Sequence, residues 1–485
     1  MIFDRLLEIA ASAPRSGLRQ GDEFHSYPAL ATRVERLAAG LVERGIGRGD
    51  VVAFLLPNSP DLFAVAHAVF SIGAIAMPLG LTATRAELAT LAGKTGPAAI
   101  IASPQLRPSA EALLVDVAPK AQLFASDRLH ELERAPSTRQ ALTPDTTALY
   151  LFSSGSTGLP KVVPHTHGEL LADGTRTSTA WDLQPDDIAL NILPPNFAMG
   201  FLLGVTNVMS RGGSTLYWSD PLPLALSRRK LLETMARHRV TMMGAVPAMY
   251  DIIAAQTGDF DLGLRLAFAG GAGLKRPTFE TVRARLGVAL RQAYGSTEAI
   301  MVSHNDSADP DASWASVGRP AGDAEVRLAH DGDMGPDVGE LLIRSSSVMR
   351  GYLGDASANE QAFEDGWFRS GDLASLDENG RIFIKGRSKL LIEVSGYKID
   401  PIEVEDTLAA HPAIAESAVA GVPDPRSGNR LRAYVVRNAE ISEDEIIRHV
   451  RARLSVHKVP AEIAFLDALP KSPTGKILRS RLRDL

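Results

Sequence analysis

Three stretches combine hydroxyls, glycines and single charges in a way that suits the handling of polyphosphates. The first, Ser153 to Lys161, reads SSGSTGLPK and follows the apolar run ALYLF. The hydroxyls of Ser153, Ser154, Ser156 and Thr157, the close backbone approach allowed by Gly155 and Gly158, and the ammonium of Lys161 together form a grip for phosphates. A P-loop needs Gly before its Lys and Ser or Thr after it. Here Pro160 precedes Lys161 and Val162 follows, and proline removes a backbone donor at that point, so the P-loop reading fails. The second stretch, QAYGSTEAI (Gln292 to Ile300), offers Gly295, Ser296, Thr297 and Glu298 after an apolar segment, with Glu298 an apt Mg²⁺ ligand beside phosphates. The third, LPKSPTGKILR (Leu469 to Arg479), sets Lys476 on a turn near the far end of the chain.

Groups of this kind must be held by regular elements, and the pattern supplies them. The 485 residues are 45% hydrophobic and 22% charged, an ordinary globular composition with room for two or more cores. Helical stretches such as YPALATRVERLAAGLVERGI alternate with the β-rich runs VVAFLL, AIIAS and STLYW, which predicts helix-covered, mostly parallel sheets to about Ser303. Denser Gly, Asp and β-branched residues follow in GELLIRSSSVMRGYLG and GRIFIKGRSKLLIEVSG and predict hairpins in a small β-barrel-like subdomain. Beyond them, DPIEVEDTLAAHPAIAESAVAGVPD, LRAYVV and EDEIIRHVRARLSVHKVP read as helices joined to strands. The expected fold is therefore α/β, with a large N-terminal domain over 1–388 and a small α+β C-terminal domain over 389–485, divided near Lys389.

Composition also narrows the function. A net charge of −6 without a long basic run gives no support to a nucleic-acid or anionic-membrane surface. The count of 0 cysteines excludes disulfides, thiolate metal sites and cysteine nucleophiles, and fits a reducing compartment. The start, MIFDRLLEIAASAPRSG, reads as an amphipathic helix rather than a signal peptide. The apolar stretch Leu62 to Leu81 is interrupted by His67, Gly73, Pro78 and Gly80, so it reads as a buried helix and strand rather than a membrane span. These features place the chain in the cytoplasm with no membrane insertion. His165 and His167 form a His-x-His without an evident third metal ligand.

Taken in order, SSGSTGLPK, QAYGSTEAI and PTGKILR resemble the acyl-adenylate-forming superfamily, which holds acyl- and aryl-CoA synthetases, free-standing adenylation domains and beetle luciferases. The likeness spans nearly the whole chain. It implies an enzyme that joins a carboxylate to the α-phosphate of ATP with Mg²⁺, releases pyrophosphate and passes the acyl group to a thiol of CoA or of a carrier-protein phosphopantetheine. Cations and aligned donors would carry such a step, because one anion attacks another and charge accumulates on the phosphoryl group. By the same resemblance the Ser153–Lys161 loop encloses the β- and γ-phosphates, Thr297 bonds the α-phosphate, Glu298 holds Mg²⁺, and Lys476 bridges the carboxylate and the α-phosphate. Asp372 and Arg387 take the ribose; Gly270, Gly271 and Ala272 let adenine or acid lie against backbone; Tyr294 stacks on adenine beside Gly295 and Ser296. A mobile C-terminal domain would turn about Lys389 and exchange Lys476 for a thiol tunnel at Ser395 and Gly396. Leu390 stands where family members often carry an acidic residue, and Ser395–Gly396 where they often carry Gly-Gly.

The acid pocket implied by the resemblance falls in PPNFAMGFLLG, Pro194 to Gly204. This stretch is similar to segments of hydroxybenzoate-adenylating enzymes and benzoate-CoA ligases. Phe197, Met199 and Phe201 would form an apolar slot along Gly200, and Asn196 would bond an ortho hydroxyl or amine. With no basic residue in the segment, a dicarboxylic acid such as malonate is disfavoured. The expected substrate is an aromatic, benzoate- or hydroxybenzoate-like acid or a short apolar acid, with CoA the acceptor ahead of an acyl carrier protein. A homodimer is left open as the assembly. A luciferase-like oxygenase has no feature in its favour, and the retention of Lys161, Glu298, Asp372, Arg387 and Lys476 speaks against a non-catalytic binder.

Overall fold

Period-two alternation inside short apolar runs decides the layering. In the strand Val51–Leu55, Val51, Ala53 and Leu55 join one hydrophobic cluster while Val52 and Phe54 join another. The strand Ala99–Ala102 repeats the split, with Ile100 and Ala102 on one face and Ala99 and Ile101 on the other. Strands buried on both faces need helices on both sides. Arg85–Thr95 and Arg107–Asp116 cover the first face, and Ile2–Ser12, Tyr27–Glu43 and Pro60–Ser71 the second.

The computed structural model describes residues 1–136, 141–153, 160–220, 222–330, 337–387, 390, 392–394, 397–424, 428–454, 456–471 and 477–482. They fall into two units, Met1–Val326 with Ile343–Phe368, and Arg327–Leu342 with Arg369–Leu485. The larger unit holds a six-stranded sheet in the order Gln122–Ala125, Ala99–Ala102, Val51–Leu55, Ile75–Pro78, Thr147–Ser153, Lys161–Thr166. It is parallel except for its last pair. It also holds a nine-stranded sheet, whose central strands Leu290–Ser296, Leu266–Ala269, Met242–Ala245, Ile188–Asn191, Ser214–Tyr217 and Gly17–Gln20 run parallel. Leu224–Arg237, Pro247–Ala254 and Arg276–Leu286 pack on one face of this sheet through Leu190, Met243, Ala245, Ala267 and Leu290.

The apolar stretch Leu62 to Leu81 becomes the helix Pro60–Ser71 and the strand Ile75–Pro78, both buried, as its interruptions predict. Each Phe or Val buried there is worth about 2 kcal/mol relative to exposure. The amphipathic start is the helix Ile2–Ser12, with Ile2, Phe3, Leu6 and Ile9 buried. Among the described residues no helix is long and apolar enough to cross a membrane.

A five-stranded sheet, built from Glu325–Ala329, Gly339–Arg344, Trp367–Leu376, Phe363–Glu364 and Ile382–Arg387, answers to the barrel-like subdomain. Where its register is described it is antiparallel. The smaller unit contains the sheet Ile414–Asp424, Gly428–Arg437, Glu462–Phe465 with the helices Pro401–Ala409 and Glu443–Arg451, around Val404, Leu408, Val419, Ala433 and Ile446.

Candidate active site

Open parallel sheets present ligand sites at the carboxyl ends of their strands. In the nine-stranded sheet, adjacent strands end at Asn191, Ala245, Ala269 and Ser296, and the next residues along the chain include the acid segment, the Gly270–Ala272 turn and Thr297–Glu298. A side chain at Gly270 would meet the Ala293 carbonyl at 3.2 Å and Met199 Sδ at 3.4 Å, so the acid segment, the glycine turn and the strand of Tyr294 converge at this point. Gly271 holds φ +77°, which favours glycine, and Ala272 is exposed.

Thr297 and Glu298 sit in the connection between the antiparallel strands Leu290–Ser296 and Ile300–His304. A Cβ on Gly295 would lie 2.0 Å from the Ile300 carbonyl oxygen, so only glycine lets the hairpin close this tightly. Ile300 itself has φ +55°, a left-handed conformation that costs a β-branched residue about 1–2 kcal/mol. Strain of that size persists only when the surroundings hold it, and the holding groups are identifiable. His165 Nε2 donates to the Thr297 carbonyl at 2.8 Å. Met349 N donates to the Glu298 carbonyl at 2.8 Å, and Ser347 Oγ to that of Ala299 at 3.1 Å. Arg176, with 1% of its side chain exposed, donates to the Met301 carbonyl at 2.8 Å and to Ser347 Oγ at 2.6 Å.

The phosphate-loop candidate begins where the sequence places it, after the strand Thr147–Ser153, and Ser153 pairs with Lys161 across the antiparallel ladder to Lys161–Thr166. Ser154, Gly155, Ser156, Thr157 and Gly158 lie outside the described residues. The structure adds Tyr352, which the sequence reading did not single out. Its hydroxyl donates to Glu298 Oε1 at 3.0 Å and hydrogen-bonds Ser153. Its ring lies 4.3 Å from Lys161 Nζ. Burial and the Glu298 carboxylate push the phenol well above its usual range, so it stays a donor. A carboxylate, an ammonium and a hydroxyl thus meet around one aromatic ring, a charge set matched to a metal–polyphosphate. Tyr352 lies far along the chain from both motifs, and only its place in RGYLG, an aromatic among glycines, marks it.

In the acid segment, Asn196 and Met199 are half-buried and Phe197 is 36% exposed, whereas Phe201 is wholly buried against Phe70 in the core. The slot expected from sequence therefore lacks Phe201 as a wall. A side chain at Gly200 would meet the Pro194 carbonyl at 2.4 Å, so this glycine lets the helix Ala198–Leu202 sit on the turn before it. The His165 ring spends Nε2 on the Thr297 carbonyl and faces Glu169 at 3.3 Å through Nδ1, so both of its nitrogens face protein groups. Among the described residues no group of three or more His, Asp or Glu could hold an ion. A single carboxylate such as Glu298 suits Mg²⁺ where water and phosphate oxygens complete the shell.

Within the smaller unit, Asp372 faces Arg387 across the ladder, and Arg387 Nε donates to Asp372 Oδ1 at 2.7 Å. The turn before it is fixed by Ser370, whose hydroxyl donates to the Leu341 carbonyl at 2.6 Å and accepts from Asp372 N at 3.0 Å. Lys389, Ser395, Gly396 and Lys476 lie outside the described residues. The flanks of the Lys476 segment are described: Lys471 and Ile477 form an antiparallel bridge, and Arg479 pairs with Glu405.

The AMP-binding enzyme family matches residues 9–353, and its C-terminal domain matches residues 403–476. A sulfoacetate–CoA ligase of Cupriavidus necator is 31% identical over 505 residues, covering 99% of this chain and 98% of that protein. A feruloyl-CoA synthase of an Amycolatopsis species is 34% identical over 484 residues, covering 96% and 95%. The structure of o-succinylbenzoate CoA synthetase (MenE) from Bacillus subtilis in complex with its acyl-adenylate intermediate superposes with a TM-score of 0.88 at 27% identity, covering 99% of this chain and 98% of that one.

Proposed function

Because the chain belongs to the AMP-binding enzyme family, we propose that it is an AMP-forming acid–thiol ligase that activates a carboxylic acid with ATP and transfers the acyl group to CoA. The observation that carries this reading is Tyr352, which gathers Ser153, Lys161 and Glu298 around one ring. The names of the relatives, CoA ligases and a synthetase bound to an acyl-adenylate, support it.

In this reading the Ser153–Lys161 loop holds the β- and γ-phosphates and Thr297 donates to the α-phosphate. Magnesium, when bound, neutralises phosphate charge, and Glu298 would hold it. Tyr294, Gly295, Ser296 and the Gly270–Ala272 turn would receive adenine, and Asp372, kept in place by Arg387, the ribose hydroxyls. Lys476 would bridge carboxylate and phosphate during adenylation. We assign residues 1–388 and 389–485 to two domains, with rotation about Lys389 replacing Lys476 by a thiol tunnel at Ser395 and Gly396. A cysteine-free chain of this kind suits the cytoplasm.

The acid is proposed to be aromatic, because the ferulate- and succinylbenzoate-named relatives align along almost the whole chain and Phe197 and Met199 offer flat apolar surface. The segment Pro194 to Gly204 carries no Lys or Arg, which favours a mono-anion over a sulfo- or second carboxylate. The test is pyrophosphate release with ATP, Mg²⁺ and a panel of benzoate, salicylate, anthranilate, ferulate, 2-succinylbenzoate, sulfoacetate, short fatty acids and amino acids, followed by addition of CoA or a holo carrier protein. Release with aryl mono-acids and thioester formation on CoA are expected. Absence of acid-dependent release across the panel overturns the ligase reading, and transfer to the carrier alone overturns CoA as acceptor.

A further inference from the structure

We propose that Asp173 is a positioning residue that ties the helical turn ending the acid segment, Leu203–Asn207, to the Thr297–Glu298 hairpin, so that the acid and phosphate sides of the site are held in one register; the consequence for ATP rests on the ligase reading. Asp173 lies in the helix His167–Ala180 and is wholly buried. Its Oδ2 accepts from Asn207 Nδ2 at 3.0 Å, and its Oδ1 accepts from Met301 N at 3.2 Å and Thr177 Oγ1 at 3.3 Å. Asn207 ends the π-helical turn Leu203–Asn207, which continues directly from the helix Ala198–Leu202 after Asn196 and Phe197. Met301 follows the strained Ile300 at the foot of the hairpin.

Burying a carboxylate costs several kcal/mol unless its partners compensate. A hydrophobic residue would be the cheap choice at an inward-facing helix position, yet two of the bonds of Asp173 go to segments remote in sequence that both lead to the site. Arg176, one turn on, donates to the Met301 carbonyl, so both main-chain groups of Met301 end on one helix. On the other side, Thr206 Oγ1 donates to Asn207 Oδ1 at 2.8 Å, which fixes the amide with its donor toward Asp173. The π turn itself is a departure from regular helix of the kind found at functional sites. Here it brings Asn207 to the carboxylate.

The pair can be inverted. Asn207→Asp alone sets two carboxylates against each other, while Asp173→Asn with Asn207→Asp restores the same bond with donor and acceptor exchanged, and the amide oxygen introduced at 173 still accepts from Met301 N. Full-length proteins are compared by calorimetric titration with Mg·ATP, by hydrogen exchange of peptides covering 198–210 and 294–304, and by thermal melting. Asn207→Asp is expected to weaken Mg·ATP binding about tenfold and to speed exchange in 294–304, and the double variant to restore both to within about threefold. If Asn207→Asp does not fold, Asn207→Ala, which removes the donor to Asp173 together with the acceptor of Thr206 and adds no charge, is expected to shift both in the same direction by less. The proposal is overturned if changes stay within 198–210, if the double variant is no better than the single, or if melting falls while the folded protein binds Mg·ATP as wild type does. Wild-type protein that fails to bind Mg·ATP would refute the ligase reading instead, and exchange of 294–304 in the two variants would still decide the tie.

Discussion

The Ser296–Ile300 hairpin of the larger unit and the flanks of the Lys476 segment in the smaller one are secured by different physics. The hairpin is gripped on its main chain: the carbonyls of Thr297, Glu298, Ala299 and Met301 accept from His165, Met349, Ser347 and Arg176. The Lys476 flanks combine a short main-chain bridge between Lys471 and Ile477 with ion pairs, an exposed one, Lys471–Glu416, at 37% and 41%, and a more buried one, Arg479–Glu405, at 22% and 11%, whose Arg479 also donates to the Val419 carbonyl at 3.1 Å. Hydrogen bonds to buried carbonyls fix position at about 1 kcal/mol each, more when the donor is charged, and depend little on salt. An exposed ion pair such as Lys471–Glu416 contributes about 0–1 kcal/mol and is screened. A segment proposed to present fixed donors to a phosphate benefits from the first kind of support, whereas one proposed to be exchanged during turnover tolerates the second.

Acid should separate the two units most. Burial holds His67, His167 and His304 of the larger unit down to about 4 from the usual 6.5. The unfolded chain then binds more protons than the folded one between those values, so stability present above pH 6.5 is lost as pH falls toward 4, by up to about 3 kcal/mol per histidine. In the smaller unit, burial raises Asp400 to about 6 from 3.8. Its contribution has the opposite sign: it is full below pH 3.8 and lost as pH rises through about 6. Hydrogen exchange followed from pH 7 to 4 should show protection falling first in peptides of the larger unit, and a uniform loss would break the comparison.

Arg176→Leu should come next, at about 3–5 kcal/mol, because it breaks the ion pair with Asp323, removes the nearby positive charge that favours ionised Asp173 and frees the Met301 carbonyl. Urea denaturation reads this directly. A loss under 1 kcal/mol would mean the hairpin holds itself. Lys476→Ala is expected to lower adenylation about 100-fold or more while transfer from a supplied acyl-AMP to CoA continues, and equal loss of both half-reactions would end the division of labour assigned to the two segments. Lys471→Ala should be smallest, at about 0–1 kcal/mol and vanishing in high salt, as measured by melting of the smaller unit.

Much of this arrangement was legible in residue patterns, for reasons that differ by element. Strands with two buried faces are short β-rich runs, and Val51–Leu55 or Ala99–Ala102 need no partner to be recognised. Ser153, Lys161, Thr297 and Glu298 announce themselves because local chemistry demands hydroxyl, glycine and charge in sequence. Tyr352, Asp173 and Arg176 act through side chains remote in the chain, 34 residues away for Asn207 from Asp173 and 171 for Ser347 from Arg176, or through carbonyls that every residue carries, so no motif spacing ties them to their partners. Phe201 shows the converse: its apolar neighbours suggest a pocket wall, and the same hydrophobicity takes it into the core against Phe70.

By itself, then, the sequence determined the layered α/β architecture, the hydroxyl, glycine and charge content of the stretches proposed to handle phosphate, and the family they resemble, because periodicity and short-range composition are local properties. Which donor meets which acceptor was decided only in three dimensions. The hairpin's strain at Ile300, the gathering of Ser153, Lys161 and Glu298 by Tyr352, and the reach of Asp173 from Asn207 to Met301 all depend on burial that excludes water as a competing partner, and burial is set by the packed fold.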